Sequence, residues 1–294
     1  MISENLSLKY IIKRTGEQEH PFRFLFSRIL WALRVCSLLK INLPHGIRLR
    51  FFPSSTSAAL WLDPHRFDSD GVDFIWKYLF KRDTFVDVGA NIGHLTLIAA
   101  KKAFKGKVIS IEPHPRIFKF LVQNIKLNRL ENVKALNFAI GEKSGESHFS
   151  DIRSDDQNFI TNGGPVAVKA RTLDDLPDIG KIDLLKIDTE GYELFVLRGA
   201  KKTLEKTSAV FLESYEKNFN RYGYSTKDVI DFVSGSGFRL FKLTLENKLE
   251  NIGSDYISTE CENLFAVKDP RVLKDRLNLQ NNIGLLWQKE TNRS

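Results

Sequence analysis

From about residue 83 onward, two patterns of hydrophobic positions alternate along the chain. Short apolar runs that predict buried strands are each followed by a stretch with helical spacing, which is typical of βαβ units and a parallel sheet. The predicted strands are 84–88, 107–111, 133–139, 182–187, 209–213, 238–243 and 264–267, and the predicted helices are 92–103, 116–128, 192–204 and 226–235. The pattern predicts a doubly wound, mostly parallel α/β sheet with helices on both faces.

The alternation lapses between residues 142 and 172. Two short strands, 146–149 and 166–170, flank a polar loop that contains Asn162, Gly163, Gly164 and Pro165. Long loops in compact domains are usually functional, so this loop is a candidate lid or substrate loop.

The N-terminal part has a different character. The formal net charge of the chain is +8, and residues 1–60 alone hold nine Lys or Arg against three Glu. Residues 22–40 alternate basic and apolar positions in a way that predicts a basic amphipathic helix. Such a helix either packs its apolar face on the rest of the protein or lies on an anionic membrane surface. We therefore divide the chain into a basic extension (1–69), a main domain (70–268) and a tail (269–294).

Composition excludes several classes of protein. With 42% hydrophobic and 27% charged residues, the chain is neither disordered nor membrane-embedded. Cys36 and Cys261 stand far apart without a zinc or disulfide spacing, and we see neither a secretory leader nor an apolar run of ~18 residues. The expected location is the cytoplasm, with peripheral membrane contact open and the oligomeric state undetermined. The sequence has no stripe of basic residues interleaved with aromatic ones, so nucleic acid is not the expected partner.

The most informative segment is a glycine turn between the first predicted strand and helix. Gly89 permits a sharp turn and close approach of a ligand, and Gly93 permits close packing of the helix. Asp87 is unusual inside an apolar strand and requires partners if it is buried. The Gly-x-x-x-Gly spacing differs from the Gly-x-Gly-x-x-Gly of dinucleotide sites.

Glu112 ends the second predicted strand. A carboxylate at this place in a doubly wound fold is positioned to accept hydrogen bonds from ribose hydroxyls. The combination of the glycine turn and Glu112 predicts a nucleoside-containing cofactor at this edge of the sheet.

Four motifs in this order resemble the FkbM family of methyltransferases: DTFVDVGANIGHLTLIAA, ISIEPHP, IDLLKIDTEGYELFVLRGA and FLESY. The resemblance covers about residues 70–268. It implies a class I Rossmann-like fold, S-adenosylmethionine as the methyl donor, and O-methylation of a sugar or another small-molecule hydroxyl. It also implies roles for individual residues: the methionine part of the cofactor near Asp87, Gly89, Asn91 and Gly93, the ribose at Glu112, and the adenine bordered by the stretch that includes Ile140.

Methyl transfer to a hydroxyl requires alignment and a base. Asp188 and Glu190 follow the fourth main strand at the same edge as the glycine turn, and Asp188 is our first candidate for the base, with cofactor binding and metal binding as its open alternatives. Glu190 is equally a helix N-terminal residue, and His94 is a further candidate base. Glu213 and Tyr215 are candidate substrate contacts. No spacing here is diagnostic of a metal, so no metal site is predicted.

Two other classes compete with a methyltransferase. A nicotinamide-dependent oxidoreductase shares the general fold, and a non-catalytic binding module is also compatible with it. The glycine spacing and the lack of a Tyr-x-x-x-Lys pair count against the first. Within methyltransferases, a lipid-linked glycan or a protein side chain is the alternative acceptor.

Overall fold

The computed structural model describes residues 15–17, 20–33, 35, 38–52, 55–63, 69–152, 158–161, 163–177, 179–243 and 249–277. Cys36, Asn162 and most of the predicted C-terminal tail lie outside the described residues. Within them, no helix combines the length and apolar character that crossing a bilayer requires.

The N-terminal part forms a helix, a hairpin and two further helices. In chain order these are α1 (Pro21–Ala32), β1 (Lys40–Leu43), β2 (Ile47–Arg50), α2 (Ser55–Leu62) and α3 (Ser69–Tyr78). The predicted single helix over 22–40 is therefore wrong in its second half. The helix ends at Ala32, and from residue 40 to residue 50 the chain has strand periodicity instead, because Ile41, Leu43, Ile47 and Leu49 are buried while Lys40, Asn42 and Arg48 are exposed. β1 and β2 pair as an antiparallel hairpin.

Strands and helices then alternate close to the predicted positions. The first group is β3 (Thr84–Val88), α4 (His94–Lys102), β4 (Lys107–Ile111), α5 (Pro115–Leu127) and β5 (Val133–Leu136). The second group is β6 (Ala139–Ile140), β7 (Gly145–Phe149), β8 (Val166–Arg171), β9 (Leu184–Ile187), α6 (Glu193–Arg198) and α7 (Lys201–Glu205). The last group is β10 (Ala209–Ser214), α8 (Glu216–Asn220), α9 (Thr226–Gly235), β11 (Arg239–Leu243), β12 (Leu249–Asn251), β13 (Glu262–Val267) and α10 (Pro270–Leu277).

The main sheet has eight strands in the order β12-β11-β13-β10-β9-β3-β4-β5. The five from β10 to β5 are parallel, and β13 runs antiparallel to both of its neighbours. A separate apolar cluster packs on each face of this sheet, which confirms the predicted doubly wound, Rossmann-like α/β fold.

The strand order places a crevice at one point of the sheet. From β3 the chain moves outward through β4 and β5, and later returns to the other side of β3 with β9 and β10. Ligands of such sheets bind at the carboxyl ends of the strands where the order reverses. Val88 and Ile187 pair in register there, so the residues that follow them, Gly89 and Asp188, come together.

Two predicted elements are each divided in the structure. The predicted strand 133–139 ends in the main sheet at Leu136, and Ala139–Ile140 pairs instead with β8 in a three-stranded sheet with β7. The predicted helix 192–204 breaks at Gly199, where a Cβ atom would lie 2.0 Å from the carbonyl oxygen of Gly141. Tertiary contacts, not local propensity, set both breaks.

The predicted boundaries after residues 69 and 268 do not coincide with a break in packing. The backbone amides of Arg48 and Arg50 donate hydrogen bonds to the Oδ1 atoms of Asn128, just after α5, and of Asn124 in α5, both at 2.9 Å. The hairpin also shares an apolar core with the sheet. In α10, Leu273 is fully buried. The elements around the predicted main domain are packed into it.

Candidate active site

A cavity of about 290 Å³ lies at the carboxyl ends of β3, β4, β9 and β10. The site residues predicted from the sequence that line it are Gly89, Asn91, His94, Glu112, Ile140, Asp188, Glu190 and Glu213. Asp87, Gly93 and Tyr215 are not among the lining residues. The structure thus brings the glycine turn and the acidic residues of two later strands to one cavity.

The glycine turn is held by close backbone approach. Gly89 has φ +81°, and a Cβ atom there would lie 1.7 Å from the carbonyl oxygen of Asp188. The amides of Gly89 and Ala90 both donate to the carbonyl of Ile111 at 3.0 Å. Only glycine satisfies both the left-handed conformation and this contact.

Gly93 acts on the neighbouring helix. Its φ is +91°, and a Cβ atom would lie 2.4 Å from Cδ1 of Leu121 in α5. This close contact supports the predicted packing role and places Gly93 behind the cavity wall.

Glu112 is fixed by two backbone amides. Oε2 accepts from the amide of Asn91 at 2.9 Å, and Oε1 accepts from the amide of His114 at 2.8 Å. Glu112 is nearly buried yet lines the cavity. Each oxygen keeps further acceptor capacity, so the carboxylate is held in an orientation that can receive ribose hydroxyls. His114 caps α5 by accepting from the amide of Arg116, as a turn-shaping residue does.

Asp87 lies beneath the turn and not on the cavity surface. It is fully buried, and its Oδ2 accepts from the hydroxyl of Thr96 at 2.6 Å. Its Oδ1 is 3.1 Å from the Nζ of Lys186. Partners within the protein therefore account for the buried charge, and contact of Asp87 with the cofactor stays a prediction.

Lys186 is a site residue that the sequence reasoning missed. Its Nζ donates to the carbonyl of Gly89 at 2.9 Å and lies 3.2 Å from Oδ2 of Asp188. Burial lowers the pKa of Lys186, but the charges of Asp188 and Asp87 outweigh burial and raise it above its ordinary value. A lysine inside an otherwise apolar strand, in register with Asp87 on the adjacent strand, was the available signal.

Three carboxylates that line the cavity lie close together. Asp188, Glu190 and Glu213 each present an oxygen, and these oxygens all lie within 4.8 Å of one another. Burial raises the pKa of Glu213 well above its ordinary value, and the charges of Asp188 and Glu190 raise it further. Cys261 donates to Oε1 of Glu213 at 3.1 Å. Hard cations such as Mg²⁺ prefer oxygen donors of this type, so this is the set that could hold a metal.

Glu190 occupies a strained backbone position. Its φ is +56°, and its Oε2 accepts from the side-chain amide of Asn218 at 3.3 Å. Non-glycine residues in this region cluster at functional sites because surrounding contacts must hold them there. Glu190 precedes α6 and is not part of it.

A further part of the cavity wall comes from the loop region and from an aromatic residue. Phe149, Asn158 and Ile160, in and beside the connection between β7 and β8, line the cavity together with Tyr192. The hydroxyl of Tyr222 donates to the carbonyl of Ile160 at 2.8 Å and fastens this wall to the main domain. The candidate substrate loop thus contributes to the cavity through these described residues.

Tyr215 is placed away from the cavity. It stands before α8 with extended backbone, and the carbonyl of Tyr215 accepts from the amides of Asn218 and Phe219. It is not among the lining residues, and its contact with the substrate stays a prediction. Tyr192, which the sequence reasoning did not single out, is the tyrosine at the cavity.

A family model decides the class of the protein. Residues 87–240, more than half of the chain, match the model described as the methyltransferase FkbM domain. The chain belongs to this family. This FkbM family member is therefore an enzyme, a methyltransferase. The two competing classes, an oxidoreductase and a non-catalytic binding module, are set aside.

Curated relatives agree with this class. The chain is 26% identical over 223 residues to the hexuronic acid methyltransferase AglP of Haloferax volcanii, covering 74% of this chain and 87% of the relative. It is 22% identical over 171 residues to the 2-O-methyltransferase NoeI of Sinorhizobium fredii, covering 50% and 70%. A solved methyltransferase FkbM from Methylobacillus flagellatus KT superposes with a TM-score of 0.43 at 16% identity, over 64% of this chain and 44% of that one.

The cofactor of this FkbM methyltransferase is S-adenosylmethionine. The cavity fits it on three observations: the turn at Gly89 leaves no side chain over the strand end, Glu112 presents fixed acceptor oxygens, and Phe138 with Ile140 forms an apolar wall. The assignment of individual residues to parts of the cofactor stays a prediction.

Proposed function

We propose that this enzyme transfers a methyl group from S-adenosylmethionine to a hydroxyl of a sugar or glycan. The observation that supports this proposal is the single cavity shared by the cofactor-type turn and the three carboxylates of Asp188, Glu190 and Glu213. The names of two relatives agree with this proposal: AglP is a hexuronic acid methyltransferase, and NoeI is a 2-O-methyltransferase.

The reaction balances with one proton acceptor. The cofactor supplies an electrophilic methyl group, the acceptor oxygen forms the new O–C bond, and the S–C bond breaks to leave S-adenosylhomocysteine. The hydroxyl proton passes to a carboxylate of the cluster. Asp188, which stands beside the positive charge of Lys186 and next to Gly89, is our first candidate for this role.

Glu213 and Glu190 have supporting roles in the proposal. Glu213 has an oxygen within 4.8 Å of oxygens of the other two carboxylates and accepts a hydrogen bond from Cys261, so it can hold a second hydroxyl of the acceptor. Glu190 is fastened by Asn218 and fixes the edge of the cluster. His94 lines the cavity at the start of α4 and is the alternative base.

The charges of the cavity favour a neutral acceptor. Among the described lining residues, Lys186 is the only Lys or Arg, against the carboxylates of Glu112, Asp188 and Glu190. The raised pKa of Glu213 and the ion pair of Glu262 with Lys242, at 2.7 Å, reduce the negative charge that these two residues add. A uronic acid would bring its own carboxylate into this surrounding, and like charges repel at such distances. Tyr192 and Phe149 offer apolar surface for a sugar ring. We therefore infer a neutral sugar hydroxyl, which differs from the substrate class in the name of the archaeal relative.

Two measurements test the proposal. Titration calorimetry with S-adenosylmethionine, and separately with NAD, on the wild type and Glu112→Gln is expected to show binding of the first ligand only, weakened in the variant. Transfer of labelled methyl groups to neutral sugars and to uronic acids is then compared. We expect Asp188→Asn to lower the rate about 10²-fold or more with little change in cofactor binding, while Glu250→Gln, exposed on β12, serves as the control.

Other outcomes would redirect the proposal. Labelling of uronic acids at the same rate as neutral sugars would contradict the inference from charge. Transfer only to a protein side chain or to a lipid-linked glycan would replace the acceptor class. Loss of activity on chelation, restored by Mg²⁺, would assign the carboxylates to a metal and not to proton transfer.

A further inference from the structure

The helix α1 is apolar on two faces. Its inner face packs on α2: Phe24 and Ser27 are buried, and the indole Nε1 of Trp61 donates to the carbonyl of Arg23 at 3.0 Å. On its outer side Phe22 is 87% exposed and Ile29 is 50% exposed. Internal packing therefore accounts for the inner face. At the border of the outer side the ring of Phe26 still contacts Trp61, with centroids 6.1 Å apart, while Phe22 and Ile29 stay largely exposed.

The exposed apolar side chains are concentrated in this region. Ten large hydrophobic residues are exposed in the described part of the chain, and six of them lie between residues 22 and 38: Phe22, Leu25, Phe26, Ile29, Leu33 and Leu38. We call these six the outer apolar face. Single exposed hydrophobics are ordinary on proteins, whereas a concentration of this kind marks an interaction surface.

The charges within the segment that carries the outer apolar face have one sign. From residue 20 to residue 62 the sequence holds six Lys or Arg and no Asp or Glu. Lys40 and Arg48, on the adjacent hairpin, are exposed. In this segment apolar side chains alternate with basic ones, and no acidic residue stands between them. A bilayer with anionic headgroups over an apolar interior is complementary to such a pattern. A second copy of the chain would bring the same positive charge and be repelled.

We propose that α1 and the β1–β2 hairpin dock this protein on the surface of an anionic membrane, with the outer apolar face inserted at the headgroup boundary. The docking helix is close to the active site, since α1 packs on α2 and Thr56 in the first turn of α2 lines the cavity. The inference rests on exposure and charge and does not depend on the identity of the acceptor.

The test is sedimentation of the full-length protein with vesicles of phosphatidylcholine, with and without about one third phosphatidylglycerol. We expect binding to the anionic vesicles that weakens as the ionic strength rises. The double variant Phe22→Gln/Ile29→Gln is expected to weaken this binding about tenfold or more, because each side chain loses apolar burial. Its matched control is Phe104→Gln/Ile257→Gln, whose side chains are 59% and 57% exposed elsewhere, and which is expected to bind as the wild type does.

A charge variant separates the two contributions. Lys40→Gln/Arg48→Gln should lower binding to anionic vesicles about fivefold per charge removed, whereas Lys101→Gln/Lys105→Gln, exposed on and after α4, should not. Thermal melting and calorimetric titration with S-adenosylmethionine check that each variant is folded. The proposal is wrong if the protein does not bind anionic vesicles, or if it binds neutral vesicles equally well. It is also wrong if the α1 variant and the hairpin variant both bind as the wild type does. Self-association that depends on Phe22 and Ile29, without vesicle binding, would overturn it as well.

Discussion

Glu193 is a fully buried carboxylate at the start of α6. Its Oε1 accepts from the amide of Thr189 at 2.7 Å, from the hydroxyl of Thr189 at 3.0 Å and from the amide of Gly191 at 3.3 Å. Burial raises the pKa of Glu193 to about 7 despite these hydrogen bonds. The folded state therefore holds a proton that the unfolded chain releases at a lower pH.

This raised pKa predicts a pH-dependent stability with a definite sign. Between the ordinary pKa of a glutamate and about pH 7, the folded state binds more protons than the unfolded state, so stability falls as pH rises through that window. The loss should be about 3 kcal/mol in total. In Glu193→Gln, which keeps an acceptor oxygen but does not ionise, this part of the fall should be absent. Denaturant unfolding at several pH values measures it, and an unchanged pH dependence in the variant would contradict the prediction.

Lys186 is predicted to be a large contributor to stability because it is buried between two carboxylates. Removing it in Lys186→Met leaves Asp87 as an uncompensated buried charge, at an expected cost of about 3–5 kcal/mol and with weaker cofactor binding. The double variant Asp87→Asn/Lys186→Met should recover part of the loss. Chemical denaturation provides the values.

The exposed Lys181, which pairs with the nearly buried Asp183, supplies a control for Lys186. The Lys181 side chain is 68% exposed, and Asp183 also has Arg276 at 3.6 Å, so Lys181→Met should change the free energy of unfolding by at most about 1 kcal/mol. If Lys186→Met and Lys181→Met lower the free energy of unfolding by the same amount, burial of the charge on Lys186 is not the cause of the loss.

At the scale of elements, the junction between β3 and α4 depends on close backbone approach to the end of β9. In Gly89→Ala the new Cβ would meet the carbonyl of Asp188, a backbone atom that cannot rotate away, and φ is positive as well. We expect a loss of about 3 kcal/mol or more and of cofactor binding. Gly223→Ala has a similar φ of +78° and nothing within 4 Å of the new Cβ, so it isolates the strain alone, about 1 kcal/mol. Similar losses in both variants would refute the close-contact explanation.

The same scale shows which boundaries local sequence could predict. The helix Thr226–Gly235 agrees with its prediction at both ends, and its start has a local cause because Ser225 and Asp228 form a capping box. The predicted strand 133–139 and helix 192–204 were each divided in the fold, because pairing with β8 and the contact of Gly199 with Gly141 involve residues distant in sequence. Local signals therefore predicted the existence of elements better than their ends.

For the whole molecule, the hairpin and the terminal helix are parts of one packed structure. Truncation before residue 38 removes α1, whose inner face contributes little beyond Phe24 and Leu30, and should leave a folded protein that binds S-adenosylmethionine. Truncation before residue 69 also removes Ile41, Leu49 and Leu60 from the core and should not give a cooperatively folded protein. Circular dichroism melting distinguishes the two, and cooperative unfolding of the shorter chain would support the original boundary after residue 69.

The sequence by itself determined most of the strand and helix alternation after residue 83, the glycine turn, and the acidic residues at the strand ends, because these depend on periodicity and on short motifs whose family is recognisable. Only the tertiary structure decided which of those residues face one cavity. It separated Tyr215 from Glu213, set Asp87 beneath the turn, and placed Lys186 between two carboxylates. The physical reason is that register between neighbouring strands and the packing of distant loops fix side-chain surroundings, and neither is encoded in the spacing of residues along one segment.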